Sequence, residues 1–291
     1  MKSRRLRQTR LQNRRGLIAV LAAVCLPMTA VAQLGPTPLS DLQALGGKVE
    51  NVKNVETTAG AAFTLYTADS TRADQAELWS ITREDGTVRK LSLELDASQE
   101  VTGFWPSPSG DRVAYEVIET PFNPKRRLYA VDIAGGPSVP IIGPEGFNSS
   151  LSREVKWTDD GDRAVFSATL QGSLSPRLFS STADGAPAVE LTGPIPTQGT
   201  STGEVLGFDV LEDLVIFWGD LETVDRVSLF SAPVDGGART HLGAALPQDA
   251  DVEYARIVQP IVGPATALIA ALESFTTTIY AIPVAGGALT T

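Results

Sequence analysis

Few side chains in this sequence could carry covalent chemistry. His241 is the only histidine and Cys25 the only cysteine in 291 residues. A serine–histidine catalytic pair would therefore depend on His241, which lies in a weakly patterned segment and is better explained by a surface or outer-strand position. Metal sites built on several histidines are excluded. These residues predict a protein that is not an enzyme.

Three aspartates around one glycine are the candidate metal ligands. Asp159, Asp160 and Asp162 surround Gly161, and carboxylate oxygens are ligands that Ca²⁺ prefers. The same run also has the composition of a tight turn, in which glycine takes the positive φ that a chain reversal needs. We favour the turn and predict no cofactor, with calcium at these aspartates as the alternative.

The segment Thr120–Arg127 is a candidate binding loop. Phe122 stands between two prolines and offers a stiffly held apolar tip. Three consecutive cations follow it, namely Lys125, Arg126 and Arg127. An aromatic side chain with flanking arginine resembles the anchor of a protein interface. A solvated hairpin loop explains the same residues, and we expect it at the opposite end of its strand from the Ser107–Asp111 turn.

The first 32 residues have the pattern of a secretory signal peptide. Seven basic residues precede the apolar run Leu17–Met28, and small residues end at Ala32. The run is short for a permanent transmembrane helix, so we expect cleavage after Ala32 and no stable membrane insertion afterwards. Two alternatives concern the leader, namely lipidation at Cys25 and twin-arginine export through Arg14-Arg15.

Removal of this leader would make the protein more acidic. The whole chain has a formal charge of −10. The leader holds seven basic and no acidic residues, which leaves 17 Lys and Arg against 34 Asp and Glu, a charge of −17. Nucleic acid is therefore not an expected partner. Cys25 leaves with the leader, which excludes disulfides, thiolate metal sites and a cysteine nucleophile from the mature chain.

A repeat of about fifty residues runs through the remaining chain. Each copy has Leu or Ile followed by an aromatic residue and, a few residues later, Asp-Gly or Gly-Gly. The five aromatics are separated by 50, 50, 51 and 50 residues: Trp79, Tyr129, Phe179, Phe230 and Tyr280. Periods of this length are typical of propellers and solenoids.

Each copy also contains three further short runs with the composition of β-strands. The clearest precede the aromatic segments, at 63–67, 112–117, 163–168, 214–218 and 266–271. A four-stranded sheet cannot bury both faces alone, whereas sheets packed radially around an axis cover one another. We predict an all-β propeller of about five four-stranded blades. A β-sandwich is the alternative, but it does not require a recurring Leu-aromatic pair.

Two copies closely resemble the repeat of the TolB-like (WD40-like, PD40) propeller family. Trp105-Pro-Ser-Pro-Ser-Gly-Asp-Arg-Val-Ala-Tyr115 and Trp157-Thr-Asp-Asp-Gly-Asp-Arg-Ala-Val-Phe166 match its turn and following strand, and Arg127–Gly136 matches its Leu-Tyr strand. The resemblance covers residues 50 to 291 and is weak at the first and fifth turns. It implies the fold and an envelope compartment. It does not imply Tol–Pal membership, because residues 33–48 are too few for the α/β domain of TolB-like envelope proteins.

The resemblance also implies which strands line the central channel. In the family the run before each Gly-Asp turn is the innermost strand. Four charged residues would then lie on or beside the channel: Arg153, Lys156, Asp209 and Arg256. Positive groups near the axis of an acidic protein would attract an acidic ligand or partner segment. Solvated channel walls or ion-paired neighbours explain the same residues.

The resulting organisation is a signal peptide at 1–32, an extension at 33–48 and a propeller at 49–291. Its repeats span about 49–98, 99–150, 151–200, 201–250 and 251–291. The fifth repeat is short, which leaves two arrangements. Either the stretch near Gln33 to Leu39 completes its outer strand and closes a five-bladed ring, or the chain is part of a six- to eight-bladed propeller.

The sequence predicts a periplasmic or secreted bacterial binding protein without chemistry of its own. Its expected partner is a protein or peptide of the cell envelope, held by one face of the propeller. The alternative is a propeller that binds a small ligand or glycan, or a remnant associated with a hydrolase, using the central channel. The partner's identity, the oligomeric state and the export route are not decided by the sequence.

Overall fold

The computed structural model describes residues 48–69, 72–119, 125–142, 147–149, 154–170, 175–195, 197–198, 201–247, 250–258, 265–273, 276–286 and 288. Apart from a 3-10 turn at Leu242–Ala245, all regular structure in these residues is β-strand. No helix in this part of the chain has the length and apolar character needed to cross a bilayer.

The strands form five successive antiparallel sheets. Sheet 1 holds β1 (Val49–Glu56), β2 (Ala62–Ala68), β3 (Glu77–Thr82) and β4 (Val88–Lys90). Sheet 2 holds β5 (Gln99–Pro106), β6 (Arg112–Glu119), β7 (Lys125–Asp132) and β8 (Val139–Pro140). The short β9 (Phe147–Ser149) pairs with both β7 and a strand of sheet 3.

Sheet 3 holds β10 (Val155–Trp157), β11 (Arg163–Leu170), β12 (Arg177–Thr182) and β13 (Val189–Glu190). A two-stranded ribbon follows, with β14 (Thr197–Gln198) and β15 (Ser201–Thr202). Sheet 4 holds β16 (Val205–Leu211), β17 (Leu214–Thr223), β18 (Arg226–Pro233) and β19 (Thr240–His241). Sheet 5 holds β20 (Asp251–Val258), β21 (Thr266–Glu273) and β22 (Thr276–Pro283), three strands in the described residues where the repeat predicts four.

The recurring aromatic residue always lies on the third strand of its sheet, opposite a large residue of the second strand. Three of these cross-strand pairs stack their rings, with centroids 5.4 to 6.0 Å apart: Tyr115–Tyr129, Phe166–Phe179 and Phe217–Phe230. The equivalent pairs in sheets 1 and 5 are Tyr66–Trp79 and Ile269–Tyr280. The repeat therefore marks one structural position five times, as the prediction of an all-β propeller requires.

The hydrophobic core lies between consecutive sheets. We call the face of a sheet that packs on the preceding sheet its leading face, and the opposite one its trailing face. Because successive side chains of a strand point to opposite faces of the sheet, each second strand contributes core residues to both the leading and the trailing face. Four apolar clusters each join a trailing face to the next leading face, and so connect sheets 1 to 2, 2 to 3, 3 to 4 and 4 to 5.

A polar chain of contacts crosses the first of these interfaces. The Leu93 N–H donates to the Tyr115 hydroxyl at 3.1 Å, and that hydroxyl donates to Ser138 Oγ at 2.6 Å. Ser138 in turn donates to the Leu91 carbonyl at 3.1 Å. Burial raises the pKa of Tyr115 to about 12. The neutral hydroxyl therefore ties sheet 2 to the outer edge of sheet 1 at every physiological pH.

The turns between first and second strands also dock on one another. The Thr58 N–H of sheet 1 donates to the Ser109 carbonyl of sheet 2 at 2.8 Å. Gly110, with a φ of +73°, sits so close to sheet 1 that a Cβ would lie 2.3 Å from the Glu56 carbonyl oxygen. A Cβ on Gly161 in sheet 3 would lie 2.6 Å from Ser109 Oγ. Glycine is needed here for close approach as well as for positive φ.

This docking predicts unequal effects for two equivalent glycines. Gly60 occupies the same turn in sheet 1 with a φ of +82°, but nothing lies within 4 Å of a Cβ there. Both alanine substitutions bear the left-handed backbone cost of about 1–2 kcal/mol. Gly110→Ala must also push its turn away from the Glu56 backbone, so we expect it to lower the free energy of unfolding clearly more than Gly60→Ala in urea titrations. Equal losses would show that the docked turn contributes nothing.

Candidate functional site

One position of the first strands carries a charged or aromatic side chain in every sheet. In each sheet it pairs with the residue just before the large second-strand residue described above. We call its five residues the first-strand belt: Lys53, Trp105, Lys156, Asp209 and Arg256. The predicted residues Lys156, Asp209 and Arg256 are thus brought to one equivalent position, and Lys53 and Trp105 join them. Arg153 lies outside the described residues.

Two belt residues bind each other across sheets. Lys156 Nζ lies 2.9 Å from Asp209 Oδ1 and 3.7 Å from Glu154 Oε1. It also lies over the Phe208 ring, 5.7 Å from its centroid. The positive charge of Lys156 is therefore largely balanced by carboxylates. Ion-paired neighbours, rather than a free cation, describe this part of the belt.

The other two cations of the belt are differently placed. Lys53 donates to the Phe104 carbonyl at 2.8 Å and lies 4.8 Å from the centroid of that ring. Partial burial lowers the pKa of Lys53 from its usual value. Arg256 is exposed and forms no ion pair with any described residue. Contacts of Lys53 and Lys156 with the next sheet show that belt side chains reach across the gaps between first strands.

A cavity of about 640 Å³ opens among the first strands of sheets 2 to 5. Its walls combine aromatic, aliphatic and charged side chains, chiefly those of Trp105, Lys156, Leu206, Phe208, Trp218 and Tyr254. Leu206 and Tyr254 are 52% and 53% exposed, although most large apolar side chains of this chain are buried. The volume falls in the range of ligand pockets, and the wall offers apolar contact with a few polar groups.

Matched side-chain sizes shape this cavity. Gly207 pairs with Trp218, and a Cβ on Gly207 would lie 2.2 Å from the indole ring. In sheet 5 the sizes are reversed, since Tyr254 of the first strand pairs with Ala270 of the second. The rings of Trp218 and Tyr254 meet edge to face with centroids 5.6 Å apart. Each of these two cross-strand pairs thus contains one large ring and one small residue. The two rings form an aromatic wall of the cavity between sheets 4 and 5.

The predicted binding loop differs from its expected form. Lys125, Arg126 and Arg127 belong to β7, and residues 120–124 lie outside the described residues. The β6–β7 ladder continues to the Glu119–Lys125 pair, so the hairpin has more paired residues than the sequence indicated. The loop joins the opposite end of β6 from the Ser107–Asp111 turn, as predicted. Phe122 lies outside the described residues.

The cations of β7 have structural partners. Arg126 Nη1 lies 2.7 Å from Oε2 of Glu116, a buried carboxylate that also accepts from the Thr102 hydroxyl. Arg127 is half-buried, whereas Lys125 is exposed. Arg126 compensates a buried charge, which is costly to leave alone. Of the three cations, Lys125 is the one whose exposure suits it to contact a partner, and the binding role of this segment stays a prediction.

The aspartates of the sheet 3 turn hold the turn itself. Thr158 Oγ1 donates to Asp160 Oδ1 at 2.5 Å, and the Asp162 N–H donates to the same oxygen at 2.9 Å. These hydrogen bonds, the hydroxyl's first, lower the pKa of Asp160. Asp159, Asp160 and Asp162 are all exposed. In the described residues no three His, Cys, Asp or Glu side chains cluster as metal ligands, and calcium binding here stays an untested alternative.

His241 is packed into sheet 4. Its ring stacks on Phe230 with centroids 4.9 Å apart, and Nδ1 lies 3.0 Å from Glu222 Oε2. Nε2 is buried and has no hydrogen-bond partner in the described part of the chain. No described serine therefore uses this histidine as a base.

A serine-hydrolase pentapeptide does occur in the chain, and the prediction of a protein that is not an enzyme wrongly assumed that it was absent. Gly199-Thr-Ser-Thr-Gly203 has the Gly-x-Ser-x-Gly pattern. In α/β-hydrolases that serine sits on a sharp turn between a strand and a helix. Here Ser201 and Thr202 form β15, and the next element is the strand β16. The context of a nucleophile elbow is missing from the described residues.

Comparisons with known proteins support the fold. No family model and no curated protein matches the sequence. Similar solved structures include dipeptidyl peptidase 4 of Porphyromonas gingivalis (13% identity, TM-score 0.50) and a protein assigned as a dipeptidyl aminopeptidase IV from Bacteroides ovatus (10%, 0.55). A protein assigned as TolB from Agrobacterium tumefaciens is also similar (12%, 0.41).

The extent of these matches differs. The alignments cover 77%, 83% and 84% of this chain, respectively, but only 36% and 39% of the two peptidases, against 79% of the TolB structure. The chain thus spans well under half the length of the peptidases. Identities this low concern the fold alone, and the matches to the two peptidases, with TM-scores of 0.50 and 0.55, support the predicted β-propeller.

The position of His241 predicts a pH effect on stability. Burial lowers the pKa of His241, and Arg226 and Arg239 act in the same direction against Glu222. The unfolded chain then binds more protons once the pH falls through the ordinary histidine value of about 6.5, so stability is full above that value and declines below it. We expect the free energy of unfolding to fall more from about pH 7 to about pH 5 in the parent than in His241→Asn. Identical pH profiles would contradict this assignment.

Proposed function

We propose that the protein is a non-catalytic binding module of the bacterial envelope that holds an apolar segment of a peptide or protein partner in the first-strand cavity. The observation that carries this proposal is the exposure of Leu206 and Tyr254 on the wall of a cavity of about 640 Å³. A ligand that covers apolar side chains at a concave surface removes them from water, which favours binding. The leader-like first 32 residues support an exported location.

The charges around the cavity favour a ligand that offers both hydrogen-bond donors and acceptors over a ligand that is only an anion. Lys156 is flanked by Asp209 and Glu154, and the whole chain is acidic. An acidic ligand would therefore meet carboxylates as well as the lysine. A peptide backbone, which offers both N–H and C=O groups, can hydrogen-bond to both kinds of side chain. Its apolar side chain would lie between Tyr254 and Leu206.

Absence of chemistry is part of the proposal. His241 lies in the outer strand β19 and is bound to Glu222, and Ser201 stands in a strand-to-strand context. Asp209, the carboxylate of the belt, is paired with Lys156. His241 and Asp209 thus have structural partners, and Ser201 lacks the strand-to-helix context of a nucleophile elbow.

A small ligand such as a sugar is the second candidate. The edge-to-face rings of Trp218 and Tyr254, next to Lys156 and Glu154, combine apolar faces with hydrogen-bonding groups. Such a ligand would fill the cavity without contacting first-strand residues outside the cavity wall.

Peptide selection tests the proposal directly. A random peptide library is panned on the immobilised chain, and the Kd of an enriched peptide is measured by fluorescence anisotropy. We expect Tyr254→Ala to weaken binding roughly tenfold or more, about 1.4 kcal/mol, because the variant loses the ring that closes the cavity. Val88→Ala, at an exposed apolar residue of sheet 1 outside the cavity, is the control and should bind like the parent.

Three results would count against it. Enrichment of no peptide by a folded chain would contradict peptide binding, and so would an affinity unchanged by Tyr254→Ala. Binding of an oligosaccharide from a glycan array, lost in Tyr254→Ala, would instead establish the second candidate.

A further inference from the structure

An acidic residue stands within one residue of the start of every first strand. Each lies two to five residues before the belt residue of its strand. With a rise of about 3.3 Å per residue, that spacing places it roughly 7–17 Å from the belt. First strands run toward the first–second turns, so these acids share the opposite end of the sheets. We call them the strand-start acids: Glu50, Glu100, Glu154, Glu204 and Asp251.

Most of these carboxylates have capacity for a further partner. All except the half-buried Glu100 are exposed. Glu154 lies 3.7 Å from Lys156, whose nearer partner is Asp209 at 2.9 Å. The Glu204 side chain forms no hydrogen bond or ion pair with the described part of the chain. Exposed carboxylates that gather at one end of the strands create a negative potential, which attracts cations.

Two cations beside these acids leave the negative end of the strands in place. Lys48 lies against Glu50, and both side chains are exposed, so their ion pair contributes little. Arg256 is also exposed, but it follows Tyr254 along β20, whereas Asp251 precedes that ring. On this strand the acidic side chain and the cation therefore lie on opposite sides of the ring.

The strand-start acids adjoin the exposed apolar side chains of the first-strand cavity. Leu206 lies two residues after Glu204, and Tyr254 lies three residues after Asp251. Glu154 is itself part of the cavity wall. Apolar and acidic side chains thus form one continuous surface at this end of the first strands. A ligand that complements this surface carries an apolar group and, next to it, a positive charge.

We propose that the segment held in the first-strand cavity is basic, with Lys or Arg side chains at the strand-start acids and an apolar side chain between Tyr254 and Leu206. This inference rests on the proposed function and adds the charge of the partner. The whole chain has a formal charge of −10, so a basic segment is attracted at long range as well as at contact. An acidic segment would be repelled by the same charges.

The position of the acids at the edge of the cavity gives this binding a characteristic rate behaviour. Charges at the rim of an interface act mainly on the association rate constant, whereas desolvated central contacts determine dissociation. Added salt screens exposed charges, with a Debye length of about 10 Å at 0.1 M. The association rate constant should therefore fall as NaCl is raised, while the dissociation rate constant, which depends on the apolar contact, changes little.

Stopped-flow fluorescence with a labelled peptide from the library selection tests the inference. We expect the enriched peptides to carry a net positive charge. Replacing the Lys and Arg residues of one such peptide with Gln should lower the association rate constant roughly fivefold or more, because the attraction to the rim is lost. Glu204→Lys in the protein should lower it by a similar factor for the unchanged peptide.

Glu84→Lys is the matched control. It makes the same change of charge at an exposed residue between β3 and β4, a turn at the opposite end of the sheets from the strand-start acids. We expect its association rate constant to stay close to that of the parent. Because both positions are exposed, circular dichroism should show the β fold retained in each variant.

The outcomes distinguish this inference from the proposed function. Enriched peptides without net positive charge, whose association rate constant does not change with NaCl, would overturn the inference and leave peptide binding in place. Equal rate constants for Glu204→Lys and Glu84→Lys would show that the strand-start acids do not recognise the ligand. A folded chain that enriches no peptide would overturn both.

Discussion

The structure depends on one constraint, namely that a four-stranded sheet cannot bury two apolar faces by itself. In this chain sheets 2 to 4 each give one face to the preceding sheet and the other to the following sheet. The stacked pairs Phe166–Phe179 and Phe217–Phe230 fill leading faces, while Leu178 and Leu229 fill trailing faces. Sequence repetition follows from this, because each of the five sheets must solve the same packing problem with the same few positions.

The same constraint explains where polar side chains gather. Outer strands can hydrate their charges, whereas charges on neighbouring first strands lie close enough to pair, as Lys156 does with Asp209. Where the first strands carry glycine, as at Gly207, an indole ring of the neighbouring strand takes the vacant space. The cavity therefore results from imperfect filling between repeated sheets. Its aromatic wall is a consequence of side chains that alternate in size.

Sequence reasoning predicted the elements better than the site. Each Leu-aromatic pair lies on a third strand, where packing against the following sheet buries the leucine in sheets 1 to 4. The belt could not be read in this way, since its residues precede the recurring aromatics by 26, 24, 23, 21 and 24 residues. Connections of unequal length between the first, second and third strands cause this variation. Lys53 and Trp105 were missed for that reason, and the pairing of Lys156 with Asp209, 53 residues apart, needed the folded sheets.

The proposed binding site lies at the first strands of sheets 2 to 5. Hydrogen–deuterium exchange of the chain, alone and with a bound peptide, tests it without any substitution. We expect slower exchange in β10, β16 and β20 on binding, with the β6–β7 hairpin unchanged. Protection confined to that hairpin, with exchange at the three first strands unaltered, would contradict the account and move the binding site to the segment around Lys125.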